Sequence, residues 1–231
     1  MTSEKIRVDA VDLDGKSLLR VGGVSALALG VAYVITILLF AYVGAPPNSG
    51  EAWLKYLAGK TTVWWAILGL SVLTDLLFLP VAASLYLALK HMNRNVMLIA
   101  IAFVSLFIVL DLAVTWANYA SLISLSGSYA AATSDAQRES YVAAANYAAA
   151  VLASRLEIAY SIVNLSFAIL LIGAVMLKGV FNKITAYLGL ATGLVGIASL
   201  AGFGVTVIVN AVLATVWIFL IGYRLLRLGQ D

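Results

Sequence analysis

The chain has no cysteine and a single histidine, His91, among its 231 residues. Without cysteine there is no disulfide framework, no thiolate nucleophile and no sulfur-ligated metal. One histidine cannot supply a bis-histidine haem and leaves little of the usual zinc chemistry. Its position, in a polar break between apolar runs, is that of a solvated loop side chain. Charge is scarce too: 11% of residues are Asp, Glu, Lys or Arg, against 63% hydrophobic, and the mean hydropathy is +1.03. Such a composition belongs to a membrane protein, with room for one bundle and no separate soluble domain. No strand pattern is visible and no Gly-rich phosphate loop adjoins one. Nucleic-acid binding, metal sites and cofactors find no support, and an enzyme is not the expected reading.

What is present is a succession of long apolar runs. Scanning for stretches of about 20 residues predicts an all-α, polytopic transmembrane bundle. Its six spans are expected at about 18–43, 62–89, 96–125, 155–177, 184–203 and 207–226, inside one transmembrane domain over 18–228. The last two spans are separated only by "GFGVT". Residues 1–17, with four acids and no small-residue cleavage site after them, read as a cytoplasmic tail.

The basic residues set an orientation. With the N-terminus inside, Lys5, Arg7, Lys16, Arg20, Lys90, Arg94, Lys178, Lys183, Arg224 and Arg227 fall on the cytoplasmic side, and Lys55, Lys60, Arg138 and Arg155 outside. That asymmetry predicts a multi-pass protein of the plasma membrane with both termini cytoplasmic. Its partners are then the lipid bilayer and, on one reading, other membrane subunits.

On the outer side, Pro46 and Pro47 end the first span. Trp53, Leu54, Tyr56 and Leu57 beside Glu51, Lys55 and Lys60 predict a short helix lying at the lipid interface, and Trp64 and Trp65 an aromatic belt. "SDAQ", Ser134 to Gln137, matches a capping box. No Gly or Pro follows until Gly173, so one helix from Asp135 to Lys178, about 66 Å long, is expected to project beyond the bilayer. The outer end of the third span would accompany it as a hairpin; the alternative is a break near Ser154. Gly189, Gly193 and Gly196 form a small-residue face suited to close packing inside the bundle.

Within the apolar runs stand a few polar residues. Counted at 1.5 Å per residue from the basic residue ending each helix, Asp75, Asp111 and Asn164 lie about 22, 25 and 21 Å up, roughly one level. Glu157, Arg155 and Asn118 lie higher, near the outer boundary. Asp111 with Thr115 and Asn118, and Glu157 with Ser161 and Asn164, are spaced to share helix faces. Facing lipid costs a carboxylate several kcal/mol, so these stripes should converge on a polar cavity in the outer half of the bundle. The ligand- or ion-binding candidates are thus Asp75, Asp111, Asn118, Arg155, Glu157 and Asn164. An inward Arg155 would meet Asp111 and Asn118; alternatively it snorkels outward and the aspartates are protonated glue between helices.

The run "LGLSVLTDLLFLPVAASLYLALKHMNRNVMLIAIAF" and the later "FAILLIGAVMLKGVFNKITAYLGLATGL" resemble a prokaryotic family of small integral membrane proteins, domain of unknown function 4386. The resemblance spans roughly residues 20 to 205 and rests on Asp75, Asn93 and the Phe181 to Ile184 turn. Members often carry an arginine after the phenylalanine of the third helix, where this chain has Val104 and Ser105. The resemblance implies a fold and no reaction. An aspartyl protease would use Asp75 with Asp111, yet "LTDLL" and "VLDLA" lack the "YD" and "GxGD" contexts. Retinal binding would need a mid-membrane lysine, and there is none. Two readings remain: binding or movement of a small molecule or ion, and a structural or regulatory subunit of a larger assembly.

Overall fold

The structure, a computed structural model, describes residues 2–201 and 204–230, with side chains from residue 15 onward. Among them every regular element is helical. The order is α1 (Thr2–Val43), α2 (Gly50–Leu57), α3 (Thr61–Leu110), a π-helical segment (Asp111–Trp116), α4 (Ala117–Ala131), α5 (Asp135–Leu152) and α6 (Arg155–Ile158). A second π-helical segment (Ala159–Val163), α7 (Asn164–Met176), α8 (Lys183–Ala198), a 3₁₀ turn (Ser199–Ala201) and α9 (Gly204–Leu228) follow. Five stretches are long and apolar enough to cross a membrane: Gly15–Val43, Thr61–Ala131, Arg155–Met176, Lys183–Ala201 and Gly204–Leu228. Segment 1–17, expected as a tail, is helical from Thr2 and runs into the first of these without interruption. Of the expected turn between the last two spans, Gly202 and Phe203 lie outside the described residues.

The Thr61–Ala131 stretch is two antiparallel legs. Asn93 leaves helical geometry (φ −160°, ψ 91°), and its Oδ1 accepts the backbone N–H of Val96, so it caps the second leg as it ends the first. Phe78 and Phe107 would stand about 44 Å apart on a straight helix. Their ring centroids are instead 5.9 Å apart.

Glycines let the helices approach closely. A Cβ on Gly22 would meet Ser84 and the Pro80 carbonyl, and one on Gly23 would meet Leu226, so α1 lies between the first leg of α3 and α9. A Cβ on Gly189 would lie 2.7 Å from Trp217 Nε1, and one on Gly193 2.6 Å from Leu170 Cβ. One on Gly196 would meet Ser166. The three-glycine face therefore packs onto α7 and α9 within the bundle. Arg224 Nε donates to Val180 O at 3.0 Å and Arg20 Nε to Gly229 O at 2.8 Å. Those bonds gather the C-terminus, the start of the first apolar stretch and the α7–α8 turn at one end, called here the terminal face.

The opposite end carries a crown of α2, α4 and α5. Trp53, Leu54, Leu57, Trp64, Leu122, Ile123, Ala145, Ala148 and Ala149 form its own apolar cluster. The expected interfacial helix α2 exists, but Trp53, Leu54 and Leu57 are 2%, 1% and 0% exposed; its apolar side is covered by protein. Trp64, expected in a lipid-facing belt, is likewise buried, whereas Trp65 is exposed. Tyr56 Oη and Lys60 Nζ donate to Val43 O at the end of α1, at 2.9 and 3.2 Å. These donors satisfy a carbonyl that helix geometry leaves orphaned.

The uninterrupted helix from Asp135 to Lys178 is not what forms. It stops at Leu152, and Ser154 takes an extended conformation (φ −75°, ψ 147°) from which its Oγ accepts Glu157 N–H at 3.1 Å. A serine N-cap can open a new helix without Gly or Pro. The break lets α5 return against α2, where Gly50 N donates to Asn146 Oδ1 at 2.9 Å.

Candidate functional site

Just below the crown three acids from three segments come together. Asp75, on the first leg of α3, is 2% exposed, and Asp111, at the start of the first π segment, is 3% exposed. Asp111 lies within electrostatic reach of Asp75, and Glu157 on α6 within reach of Asp111. The three make a row, Asp75 to Asp111 to Glu157, whose last member is half-buried at the helix break.

Each acid meets a different neighbour. Asp75 Oδ2 accepts Trp116 Nε1–H at 2.9 Å. Glu157 Oε1 accepts the Thr115 hydroxyl at 3.2 Å. Asp111 Oδ1 is buried with no hydrogen-bond partner, although Thr115 and Trp116 flank its carboxyl. A buried carboxyl oxygen left unpaired is costly, so it marks a place where a proton, water or ion belongs.

Two of the three acids stand at π-helical segments: Asp111 begins the one over Asp111–Trp116, Glu157 lies two residues before the one over Ala159–Val163, and the two segments touch. Bonding from i to i+5 widens the turn. On an α-helix Trp116 would point well away from Asp111; the wider turn brings it round toward Asp75. Trp116 is therefore a site residue that helical periodicity does not find, and its only sequence signal is an indole one position past Thr115.

Aromatic rings enclose the row. Toward the crown, Trp116 stands 5.5 Å from Tyr119, Tyr119 is stacked on Trp64 at 5.4 Å, and Trp64 stands 5.3 Å from Trp53 of α2. Toward the terminal face, Tyr33 of α1 meets Phe78 at 6.3 Å, and Phe78 meets Phe107 at 5.9 Å. Tyr33 lies within electrostatic reach of Asp75 and Asp111, and Tyr119 of Asp111 and Glu157.

The remaining candidates do not join the row. Arg155 is exposed and forms no ion pair; the ion pairs among the described side chains are Lys55–Glu51 and Arg138–Asp135. Two residues from Glu157 on a helix, it points elsewhere. Asn118 Nδ2 donates to Val114 O of its own helix at 2.7 Å. Asn164 is half-buried and hydrogen-bonds none of the acids. The expected polar cavity coincides with neither of two concavities in the bundle. The two best-defined concavities are an open groove of about 460 Å³ on the crown and a void of about 10 Å³ in the apolar core, and no acid of the row lines either. Among the described residues no group of three His, Asp or Glu side chains is arranged to hold a metal ion. Comparison with protein-family models, curated proteins and solved structures finds no match to this chain.

Proposed function

We propose that the protein is an integral membrane protein of six crossings that holds protons at the row Asp75, Asp111 and Glu157. The carrying observation is Asp111 Oδ1, buried and unpartnered between two further acids, with no cationic side chain among those described paired to any of them. Ionised carboxylates at such depth cost several kcal/mol each when no cation is near. Neighbouring acids cannot all ionise together, so the row titrates as a coupled set. The packed surroundings favour a proton over an organic ligand, which would need a cavity of several hundred Å³.

The doubling back at Asn93, which makes two apolar legs of one stretch, supports six crossings. The gathering of Arg20, Arg224 and the α7–α8 turn at the terminal face supports a cytoplasmic placement of both termini in the plasma membrane, with the crown outside. Kinship with the 4386 family belongs to the same proposal. Infrared difference spectroscopy of reconstituted protein tests the reading. A protonated-carboxyl stretch should change with pH, and Asp111→Asn should delete a component of it. A pH-independent carboxyl region would refute it.

The open crown groove, lined by Glu51, Tyr129, Asp135, Arg138, Glu139 and Asn146 among others, favours a second reading as a structural or regulatory subunit. Stoichiometric copurification of another membrane subunit, lost on Glu139→Lys, would support that reading instead.

A further inference from the structure

We infer that protons reach Asp111 from the crown side only, through Glu157 and Thr115, and that the half of the bundle toward the terminal face is a closed plug. This rests on the proton-holding reading of the acid row.

Two observations independent of the row's chemistry carry it. The first is the apolar filling below. Phe78, Val81, Leu85, Val104, Ile169 and Trp217 are all buried there, and together they line a void of about 10 Å³. One water needs about that volume and two to four polar partners, so no chain of waters fits across roughly 22 Å of this packing, the rise from Asp75 to Lys90. On this leg the Ser84 hydroxyl is engaged with Leu18 O and Pro80 O at 2.7 and 2.8 Å.

The second observation is the helix break. Ser154 stops the backbone beside Glu157 and leaves that side chain half-buried, while Asp75 and Asp111 are sealed. Glu157 is thus the one acid of the row left partly open, at the helix break where α5 of the crown ends, and its link inward is the Thr115 hydroxyl. The transfer balances: protonated Glu157 gives its proton to Thr115 Oγ1 while the hydroxyl proton passes to ionised Asp111, leaving ionised Glu157 and neutral Asp111. The groups facing Asp111 from the packed elements are Tyr33 of α1, Asp75 of α3, Tyr119 of α4 and Glu157 of α6. No lysine or arginine is among them.

Protein reconstituted into phosphatidylcholine vesicles, oriented through a biotin tag on Asp135→Cys, is given a pH jump on one face at a time while the carboxyl stretch is followed by rapid-scan infrared spectroscopy. The signal should follow the crown-side jump and ignore the terminal-side jump. Glu157→Gln and Thr115→Val should each slow it at least tenfold without abolishing the final amplitude assigned to Asp111, and Thr115→Ser should restore the rate. A response to the terminal-side jump, or unchanged rates in both slow variants, overturns the one-sided route. No response to either jump overturns the acid-row reading itself.

Discussion

Replacing Gly193 by alanine should destabilise the bundle, and replacing Gly69 by alanine should stabilise it. A Cβ at position 193 would stand 2.6 Å from Leu170 Cβ, 2.8 Å from Ser166 O and 2.9 Å from Leu170 Cα. Comfortable separations are about 3.5–4.0 Å, and two of the three opposing atoms are backbone, so α7 and α8 must part by about 1 Å. Overpacking of this kind costs about 1–3 kcal/mol, and widening a glycine-mediated contact loses dispersion along its length. Alanine recovers up to about 1 kcal/mol of helix propensity. A net loss of about 0–2 kcal/mol follows once that gain is set against the backbone clash. At Gly69 a Cβ meets nothing within 4 Å, so only the gain of about 1 kcal/mol remains. The two variants should therefore differ by about 1–3 kcal/mol, roughly five- to one-hundred-and-forty-fold in unfolding equilibrium. Reversible unfolding by dodecyl sulfate in bicelles, followed by circular dichroism, measures both. Equal stabilities within about 0.5 kcal/mol would refute close packing at Gly193 as a stability determinant.

Three further outcomes are expected. Asp135→Cys and Lys178→Cys, introduced into this cysteine-free chain, should react with an impermeant maleimide from opposite faces; reaction from the same face would remove the six-crossing topology. Ser154→Ala deletes the N-cap bond to Glu157 N–H and should cost about 1 kcal/mol, with faster amide exchange confined to 153–158; unchanged exchange there would deny the cap its role. The crown should loosen in alkali: burial raises the Tyr56 pKa above its ordinary 10.0, and the Glu51 hydrogen bond raises that of Lys55 above 10.5. In both cases the folded value exceeds the unfolded one, so the stabilisation is complete below the unfolded pKa and lost as pH rises through the folded value. Leu57→Cys, buried under the crown, should therefore become reactive above about pH 10 faster than thiol ionisation alone predicts, and Tyr56→Phe should weaken that pH dependence.

The apolar runs are legible because a bilayer demands about 20 consecutive apolar residues and little else. Asn93 is legible as a turn for the same reason, sitting in the polar gap between two such runs. Ser154 shows where reading by Gly and Pro alone fails. "SRLE", Ser154 to Glu157, has the same S-x-x-E/Q form as "SDAQ" and could have been read as a helix start, but alanine-rich flanks hide it. Glu157 does not close that box backward; its carboxylate is taken by Thr115. Trp116 was invisible because the α-helical period is what assigns residues to faces, and a π segment breaks that period without changing composition. Arg155 looks by depth like a counter-charge for Asp111 and Asn118, whereas it is exposed and takes part in neither ion pair of the described side chains.

The site, the helix break and the π segments have one physical origin. An α-helix can keep Asp111 and Thr115 on one face, but it cannot also aim Trp116 at Asp75; widening the turn does so. Likewise α6 can present Glu157 to Thr115 only if its helix starts anew at Ser154, because a straight continuation of α5 would carry it away from the crown it packs against. π-Helical turns cost backbone hydrogen-bond geometry and cluster at functional positions, and here two of them touch at the level of the buried acids. Protonating or deprotonating the row changes what Trp116 and Thr115 can bond to. The ladder of Trp116, Tyr119, Trp64 and Trp53 connects that choice to α2 by direct ring contact. A charge change at Asp75 or Asp111 thus has a packed route to the crown surface.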